Sequence, residues 1–483
     1  MPRLSILATA LGGALLVAGC ASTAGLAPQG APRDAAALAT GRALAGAPLS
    51  PAAWPSERWW TAFGDAQLDA LVDESLAGSP SLDAAEARVR KAQAQAGLAD
   101  AARKPSVGGG AQYAVAQLPA GLAGEELGGQ LMHNAVLTLK FDWPLDVWGG
   151  KRADYLAALG QARASEVDAQ AARLSLAANV ARSYVALAQA FDDLDLARRE
   201  QARTGDLVAL GKQRIAAGLD NQAALRGNEA LAATATAQAD AARHRIDALR
   251  NALAALLGQG PDRGLAIQRP HLLETPAPAL PSVLPSELLG HRPDVVAARW
   301  RVEATAQDIT SAKARFRPSI DLSGLVGLAA TGFKGLFDSD AFLGFGGPAL
   351  SLPIFDGGQL RSNLAARDAD YDLAVAEYNR TVVDGLRQVT DAVQAIRALD
   401  AQAAALEQAR SAAAAAAQVV EQRQRAGLAN RLDLLAARKP LLQAEQQLAA
   451  VRSQRYAAAI DLDQALGGGI AATATAPTPI ASH

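Results

Sequence analysis

The chain has 483 residues, a formal net charge of −2 and only 4% aromatic residues. A charge this close to zero excludes the strongly basic surface that nucleic-acid binding requires, so no nucleic-acid partner is expected. Half of the residues are hydrophobic, and alanine is the commonest of them. Because alanine is the best helix former and buries little area, this composition favours long, closely packed helices over a bulky globular core.

The N-terminus has the pattern of a targeting signal. Arg3 precedes an apolar stretch that ends in LVAGC at Cys20, and this stretch is too short to span a bilayer. The junction resembles the lipobox of bacterial lipoproteins, which predicts lipidation of Cys20, and Ala21 matches the outer-membrane sorting pattern. An ordinary secretory signal with a chance cysteine is the alternative. Since Cys20 is the only cysteine, a disulfide framework is excluded.

The remainder of the chain indicates one structural unit that occurs twice. Residues 79–92 (SPSLDAAEARVRKA) parallel residues 292–305 (RPDVVAARWRVEAT), and residues 143–150 (WPLDVWGG) parallel residues 352–358 (LPIFDGG). Such long-period similarity is typical of a duplicated unit. The predicted segments are a signal peptide (1–19), a lipidated N-terminal extended segment (20–65), a helix (66–103), two strands (104–144), a helical hairpin (145–257), a linker (258–291), a helix (292–316), two strands (317–354), a second helical hairpin (355–467) and a flexible tail (468–483).

Within each copy the periodicity changes from that of strands to that of helices. Residues 135–142 alternate apolar and polar side chains, which predicts a strand with two unlike faces. After Gly150 a stripe close to the coiled-coil period follows. It consists of Leu176, Val180, Leu187, Phe191 and Leu194. We therefore predict a helix over residues 151–217, roughly 100 Å long, and a return helix over residues 222–257. The linker after it is too rich in proline to be helical.

Both predicted hairpins turn at closely similar octets. RIAAGLDN occupies residues 214–221, and RQRAGLAN occupies residues 423–430, 209 positions later. The shared residues include Arg214, Gly218, Leu219 and Asn221 in the first octet and Arg423, Gly427, Leu428 and Asn430 in the second. Glycine supplies the left-handed backbone that ends a helix, and asparagine caps the next helix. A turn simply inherited by duplication explains those two residues, whereas a docking surface also explains the recurring arginine and leucine.

The predicted strands point to a membrane. Each is close to the ten or so residues of a tilted membrane strand and is rich in small residues. An ordinary soluble hairpin is the alternative. Four strands are too few to close a membrane barrel, and open sheet edges are not tolerated in lipid. If the strands span a membrane, several chains must share one barrel, so we expect an oligomer.

Several long motifs carry a resemblance to a known family. RWWTAFGDAQLDALVDESL, HRPDVVAARWRVEATAQDITSAKARFRPSIDL and the pair WPLDVWGGKR and LPIFDGGQLR are similar to the TolC-type outer-membrane efflux proteins, in the lipoprotein (NodT/OprM-like) branch. The resemblance implies a mainly α fold with membrane β: a homotrimer with a twelve-stranded β-barrel continued by a periplasmic barrel of coiled-coil helical hairpins.

The resemblance also implies function and location. Family members form the outer-membrane exit duct of tripartite pumps, joining a periplasmic adaptor and an inner-membrane RND-type transporter, so export of drugs or other small molecules is expected. The protein would be lipid-anchored, span the outer membrane and extend into the periplasm.

The family pattern also suggests a gate near the helix turns. Asp433 lies where TolC-type channels place an aspartate facing the pore, and copies of it around an axis would form an anionic ring. Leu432 would add a hydrophobic constriction. Ala436 and Pro440 depart from the expected pattern. The alternative role of Asp433 is that of a first-turn carboxylate that stabilises its helix. By the docking interpretation, the adaptor contacts are Arg214, Gly218, Leu219, Arg423, Gly427 and Leu428.

Signals of catalysis are weak throughout. The five histidines have no metal-ligand spacing, and no phosphate loop, nucleophile elbow or dinucleotide fingerprint is present. We therefore expect no enzyme activity, no metal and no cofactor. Two other classes of protein combine a lipid anchor with helical hairpins: a periplasmic adaptor, which would have a single hairpin between soluble β-domains, and a structural or adhesive lipoprotein without a pore. Neither explains strands placed symmetrically between duplicated hairpins.

Overall fold

The computed structural model describes residues 22–34, 37–45, 54–117, 119, 121, 129–273 and 290–469. Cys20 and most of the C-terminal tail lie outside the described residues. The elements, in chain order, are α1 (Ala66–Gly78), α2 (Pro80–Ala101), β1 (Ser106–Gln117), β2 (Leu131–Leu145), α3 (Gly150–Ala216), α4 (Gln222–Leu256), α5 (Pro261–Leu265), α6 (Pro293–Ala314), β3 (Ser319–Thr331), β4 (Phe342–Ser351), α7 (Gln359–Arg425) and α8 (Arg431–Ala465). Short 3₁₀ turns occupy Trp59–Phe63 and Ser339–Ala341.

The duplicated plan predicted from the sequence is confirmed. Both long helices, α3 and α7, contain 67 residues, and both return helices, α4 and α8, contain 35. At 1.5 Å per residue each long helix measures roughly 100 Å. Among the described residues, none of the helices combines the length and the apolar character needed to cross a bilayer.

Two local predictions are wrong. The single helix expected over residues 66–103 is divided at Ser79, which has an extended backbone (ψ 123°), because the ring of Pro80 disfavours the helical conformation of the residue before it. The linker expected to be non-helical contains α5. Pro261 starts this short helix, at a position where the missing N–H removes no helical hydrogen bond.

The chain divides into two compact units, one comprising residues 1–32, 88–165 and 298–378, the other residues 33–87, 166–297 and 379–483. The first unit contains the only sheet among the described residues. Its four strands are antiparallel in the order β1-β2-β3-β4. The register sets Leu137 opposite Ala111 on one side and Leu328 on the other.

The sheet has one strongly apolar face. Paired residues of antiparallel strands point to the same side, so the register assigns each strand residue to a face. The face of Leu137 also carries Val107, Tyr113, Val115, Leu139, Phe141, Trp143, Ile320, Leu322, Val326, Leu328, Phe342 and Leu350. The other face is mixed, with Gln112, Thr138, Lys140, Asp142, Asp321 and Ser323 beside Leu325 and Phe345. Many of these apolar side chains are solvent-exposed.

Aromatic side chains gather at both ends of the sheet. At one end the Tyr113 and Phe333 rings stack with centroids 4.8 Å apart, and the Tyr113 hydroxyl lies 2.9 Å from His133 Nδ1. At the other end Trp148 Nε1 donates to the Pro318 carbonyl at 2.7 Å, and the Arg317 guanidinium lies 4.9 Å from the Trp148 ring centroid. Aromatic residues at both rims of an apolar band are typical of strands that cross a membrane.

Helices in the first unit pack through small side chains, as the alanine-rich composition predicts. A Cβ added to Gly150 would lie 2.8 Å from Ala314 Cβ, and one added to Gly160 would lie 3.1 Å from Ala304 Cβ. Both contacts join α3 to α6. At Gly150 even one additional carbon would not fit without a shift, so α3 and α6 lie close together here.

The described N-terminal residues of the first unit lie along α7. Arg361 Nη1 donates to the Ser22 carbonyl at 2.6 Å, and the Gln29 and Gly30 N–H groups donate to Asp372 Oδ1 at 2.8 and 2.6 Å. A side chain at Gly30 would meet Asp372 and Val375. These contacts fix the backbone only two residues after Cys20.

The main hydrophobic core lies in the second unit. The predicted stripe on α3 is part of it: Leu176, Val180, Leu187 and Leu194 are buried, and Phe191 packs against them. The Asp65 carboxylate, at the N-cap of α1, accepts from the Gln67 N–H at 2.9 Å, the Tyr184 hydroxyl at 2.7 Å and the His271 N–H at 2.7 Å. The linker and the start of α1 are thereby joined to α3.

Candidate functional site: the two hairpin tips

The two hairpin turns, which we call the first tip (residues 214–221) and the second tip (residues 423–430), have the same backbone. Gly218 and Gly427 adopt φ of +71° and +73°. The Leu219 N–H donates to the Arg214 carbonyl at 2.8 Å, and the Leu428 N–H donates to the Arg423 carbonyl at 2.7 Å. Each turn is a Schellman motif, in which glycine takes the left-handed position at lowest cost.

Both tips expose the same apolar side chain. Leu219 is 67% exposed and Leu428 is 70% exposed, so neither contributes to the core of its own chain. A Cβ on Gly218 or Gly427 would meet nothing within 4 Å, which means that the glycines are required by the backbone conformation and not by crowding. The tips are therefore closely similar in shape.

The asparagines begin the return helices as predicted. The Asn221 side chain accepts from the Ala224 N–H at 2.9 Å, and the Asn430 side chain accepts from the Asp433 N–H at 3.0 Å. The backbone N–H of each asparagine also has a carboxylate partner. In the first tip this is Asp220, at 2.9 Å, and in the second it is Asp433, at 2.9 Å.

The carboxylate is thus in a different position in the two tips, although its backbone partner is the same. At the spacing of the repeat, Asp220 corresponds to Ala429, and Asp433 corresponds to Ala224. Sequence reasoning singled out Asp433 and missed Asp220. An alignment of the two octets position by position contains the signal, because Asp220 is the charged residue of the first octet that the second octet replaces with alanine.

This difference changes the environment of the two arginines. Arg214 Nε lies 3.1 Å from Asp220 Oδ2, and its Nη2 donates to the Leu219 carbonyl at 3.3 Å. The Asn221 N–H and the Arg214 guanidinium lower the pKa of Asp220 below its usual range. Arg423 is exposed, and its side chain makes no hydrogen bond or ion pair with any described residue. Its neighbour Arg425 pairs with Glu421 at 2.7 Å.

The predicted gate residues lie in the first turn of α8. Asp433 and Asn430 form a reciprocal capping box, so the Asp433 carboxylate stabilises its own helix. Leu432 is 39% exposed. Both side chains are accessible in the single chain, and the pore-facing ring remains a prediction.

The first half of α8 is held against α3 by polar contacts. Arg431 Nη2 lies 3.1 Å from Asp206 Oδ2, and Arg199 Nη1 donates to Glu445 at 2.6 Å. Arg203, which is buried, binds Glu200 through two hydrogen bonds of 2.6 Å and donates to the Leu435 carbonyl at 3.3 Å. Pro440 also lies within α8, and because proline has no N–H, one backbone hydrogen bond of this helix is missing. These contacts join the first hairpin to the second.

No group of three or more metal-ligating side chains is found in the part of the chain that the structure describes. The tips present an exposed leucine, a guanidinium and a backbone turn closed by its own hydrogen bonds. Such a surface is suited to contact with another macromolecule.

Comparison with known proteins defines the class. The family model described as "Outer membrane efflux protein" matches residues 71–259 and 284–468. The fusaric acid resistance protein FusA of Burkholderia cepacia is 40% identical over 74% of this chain and 68% of its own length. The outer membrane protein OprJ of Pseudomonas aeruginosa is 35% identical over 94% of this chain and 95% of its own length.

A solved structure agrees in fold. The outer membrane protein VceC of Vibrio cholerae superposes with a TM-score of 0.78 and 37% sequence identity, covering 86% of this chain and all of VceC. The chain belongs to the outer membrane efflux protein family. It is an outer-membrane efflux channel protein. The resemblance of its motifs to the TolC-type efflux proteins is confirmed.

Proposed function

We propose that three copies of this chain join their sheets into one twelve-stranded barrel across the outer membrane, continued by a barrel of helices in the periplasm. The sheet itself carries the proposal. Among the described residues β1 pairs only with β2, and β4 pairs only with β3, so the sheet has two edges. Pairing β1 of one copy with β4 of the next satisfies both edges, as the hydrocarbon layer requires. The family resemblance supplies the number three.

The two faces of the sheet support this arrangement. The apolar face defined by Leu137 would contact lipid tails, and the mixed face with Thr138 and Lys140 would line the water-filled interior. The aromatic groups around Tyr113 and Trp148 would lie at the two membrane boundaries. A helical lipoprotein without a pore has no use for a sheet of this kind.

The N-terminus is proposed to carry a lipid on Cys20. The described segment that begins at Ser22 is held on α7 by Arg361, close in sequence to the end of β4. Lipid attached two residues earlier would add a second means of membrane attachment to the barrel. Metabolic labelling with radioactive palmitate should label the wild-type protein and leave Cys20→Ser unlabelled. Full acylation of Cys20→Ser would contradict lipidation at Cys20.

The assembled trimer is proposed to be the exit duct of a tripartite pump for drugs or other small molecules. The names of the relatives support the substrate class, since they describe resistance to fusaric acid and to multiple drugs. The tips would dock a periplasmic adaptor, which joins the duct to an RND-type transporter in the inner membrane. Asp433 would form an anionic ring and Leu432 a constriction at the periplasmic gate.

Cysteine cross-linking between strand edges tests the assembly. Single cysteines introduced along β1, at residues 108–116, are combined one by one with cysteines in β4, at residues 343–349. On oxidation, correctly paired positions should yield covalent trimers on a denaturing gel, and each single-cysteine variant serves as its control. Covalent dimers as the largest product, or no product from any pair, would contradict the proposed barrel.

A further inference from the structure

The two tips share a backbone but differ in how their arginines are engaged. Arg214 is bound by Asp220 and by the Leu219 carbonyl within its own tip. Arg423 has the same place in the second tip, but Ala429 stands where Asp220 would be. The carboxylate that accepts from the Asn430 N–H is that of Asp433, which lies outside the second tip, in the first turn of α8. The guanidinium of Arg214 is therefore paired within the first tip. The guanidinium of Arg423, in the second tip, has no intrachain partner among the described residues.

We propose that the second tip provides the charged contact to the periplasmic partner, with Arg423 binding a carboxylate on that partner, while the first tip contributes only the apolar contact of Leu219. This inference rests on the proposed docking of an adaptor at the tips. The occupant is a helical hairpin that carries an acidic side chain near its turn. The complementary charge is the reason for this choice, because an exposed guanidinium flanked by a leucine favours a carboxylate beside an apolar surface.

The cost of binding differs between the two arginines. For Arg214 to bind a partner carboxylate, it must leave Asp220, so one ion pair is exchanged for another with little net gain. Arg423 gives up only water. The apolar contact is equal in the two tips, because Leu219 and Leu428 are exposed to the same extent. Specificity for an acidic partner therefore resides in the second tip.

The assembly amplifies this difference. A trimer would present three tips with an unpaired Arg423 guanidinium, alternating with three tips in which Asp220 pairs with Arg214. A partner built of identical hairpins would meet two kinds of site, and a weak ion pair would act three times in one complex. Individually weak contacts of this kind hold a complex through avidity.

The test exchanges the two environments without altering either arginine or either leucine. Ala429→Asp gives Arg423 the partner that Arg214 has, and Ala429→Asn is its uncharged control. Asp220→Asn frees Arg214 while keeping an acceptor for the Asn221 N–H. Each variant is produced in a Gram-negative host that lacks its own channels of this family and carries epitope-tagged periplasmic adaptors.

Two readouts measure docking. Drug export is measured as growth in the presence of an exported dye. Cross-linking to the tagged adaptors uses photoreactive benzoylphenylalanine at Ala217 or at Ala426, which are exposed and equivalent in the two tips. We expect Ala429→Asp to reduce export and the Ala426 cross-link by roughly tenfold, because a weak pair is lost at three sites. Ala429→Asn should retain both, and Asp220→Asn should retain or raise both.

Three outcomes overturn the inference. Equal docking by Ala429→Asp and the wild type removes the role of Arg423. An equal loss in Asp220→Asn and Ala429→Asp would make the tips equivalent. If Arg423→Gln changes the conductance of the purified trimer without any adaptor, Arg423 binds a neighbouring copy of this chain instead. Failure of the wild type to cross-link or export at all would reject the docking function itself, which distinguishes the two claims.

Discussion

The sheet and the hairpin tips leave different groups available for contact. In the sheet, backbone N–H and C=O groups of β1 and β4 lack strand neighbours on one side among the described residues. In the tips, the turns satisfy their own backbone through the Leu219 and Leu428 amides, and only side chains remain available. In the proposed assembly, contact between neighbouring sheets would therefore use backbone hydrogen bonds, which form along a whole strand edge or not at all. Contact at the tips would use side chains, which can be substituted one at a time.

A charge on the apolar face of the sheet should have the largest effect. Leu137→Arg places a guanidinium near the middle of β2, where a charge facing lipid costs about 2–4 kcal/mol per strand. We expect loss of outer-membrane insertion, measured by membrane fractionation and by trimers on a semi-native gel. Thr138→Arg is the matched control, because the neighbouring residue points to the opposite face and should remain inserted. Equal behaviour of the two variants would show that the faces are not distinguished by lipid.

Raising the pH from 5 to 8 should affect the body of the second hairpin more than the tips. Burial raises the pKa of Asp463 to about 7, above the value of an unfolded aspartate near 3.9. The folded protein therefore binds more protons than the unfolded chain between about pH 4 and pH 7, so its stability should fall as the pH rises through this window. Asp463→Asn should remove this pH dependence, so at pH 8 its free energy of unfolding should exceed that of the wild type by a few kcal/mol. Thermal unfolding at pH 5 and pH 8 measures it, and an identical pH dependence in both proteins would contradict the assignment.

Replacement of a tip glycine should have an intermediate and local effect. Gly218→Val forces a branched residue to φ near +71°, at a cost of about 1–2 kcal/mol, whereas Gly218→Asn tolerates this conformation better. We expect faster hydrogen exchange of the Leu219 amide in the valine variant, with trimers and insertion intact. Loss of trimers in Gly218→Val would mean that the tip contributes to assembly, as the sheet does.

Changes at Asp433 should have the smallest effect on stability and separate its two roles. Asp433→Ala removes the carboxylate of the capping box, at a cost of about 0.3–1 kcal/mol, the size expected for a carboxylate in the first turn of a helix. Asp433→Asn keeps an acceptor for the Asn430 N–H and removes only the charge. If the anionic ring exists, both variants should lose cation preference and block by multivalent cations in planar bilayers. Unchanged selectivity in Asp433→Asn would leave Asp433 as a helix cap alone.

Local chemistry made much of the fold predictable from the sequence. Gly218 and Asn221 determine a turn through their own conformational preferences, and the alternation at residues 135–142 follows from the two faces of a strand. Pro80 contained the signal for the break at Ser79, but the long helical pattern around it obscured that signal. The five-residue helix at Pro261 was not predicted, because proline disfavours helix interiors and is tolerated only at the first helical positions.

Contacts between distant residues were not predictable in this way. Arg203 reaches the Leu435 carbonyl across 232 positions, and no local period encodes such a pair. The role of Asp220 was not predicted, because the similarity of the two octets lies in the residues they share, and the counterpart of Asp220 is Ala429. Differences between duplicated segments are informative where the backbone is the same, because a shared backbone limits the difference to side-chain chemistry.

The most direct test of the central claim is the conductance of the purified protein in a planar lipid bilayer. A trimer that closes a barrel from three sheets should insert with uniform unitary steps and show cation preference. Leu137→Arg should give no steps, and Thr138→Arg should insert with altered ion selectivity. Protein that is correctly folded and trimeric but gives no conductance steps at any voltage would contradict the account of this chain as an outer-membrane efflux channel.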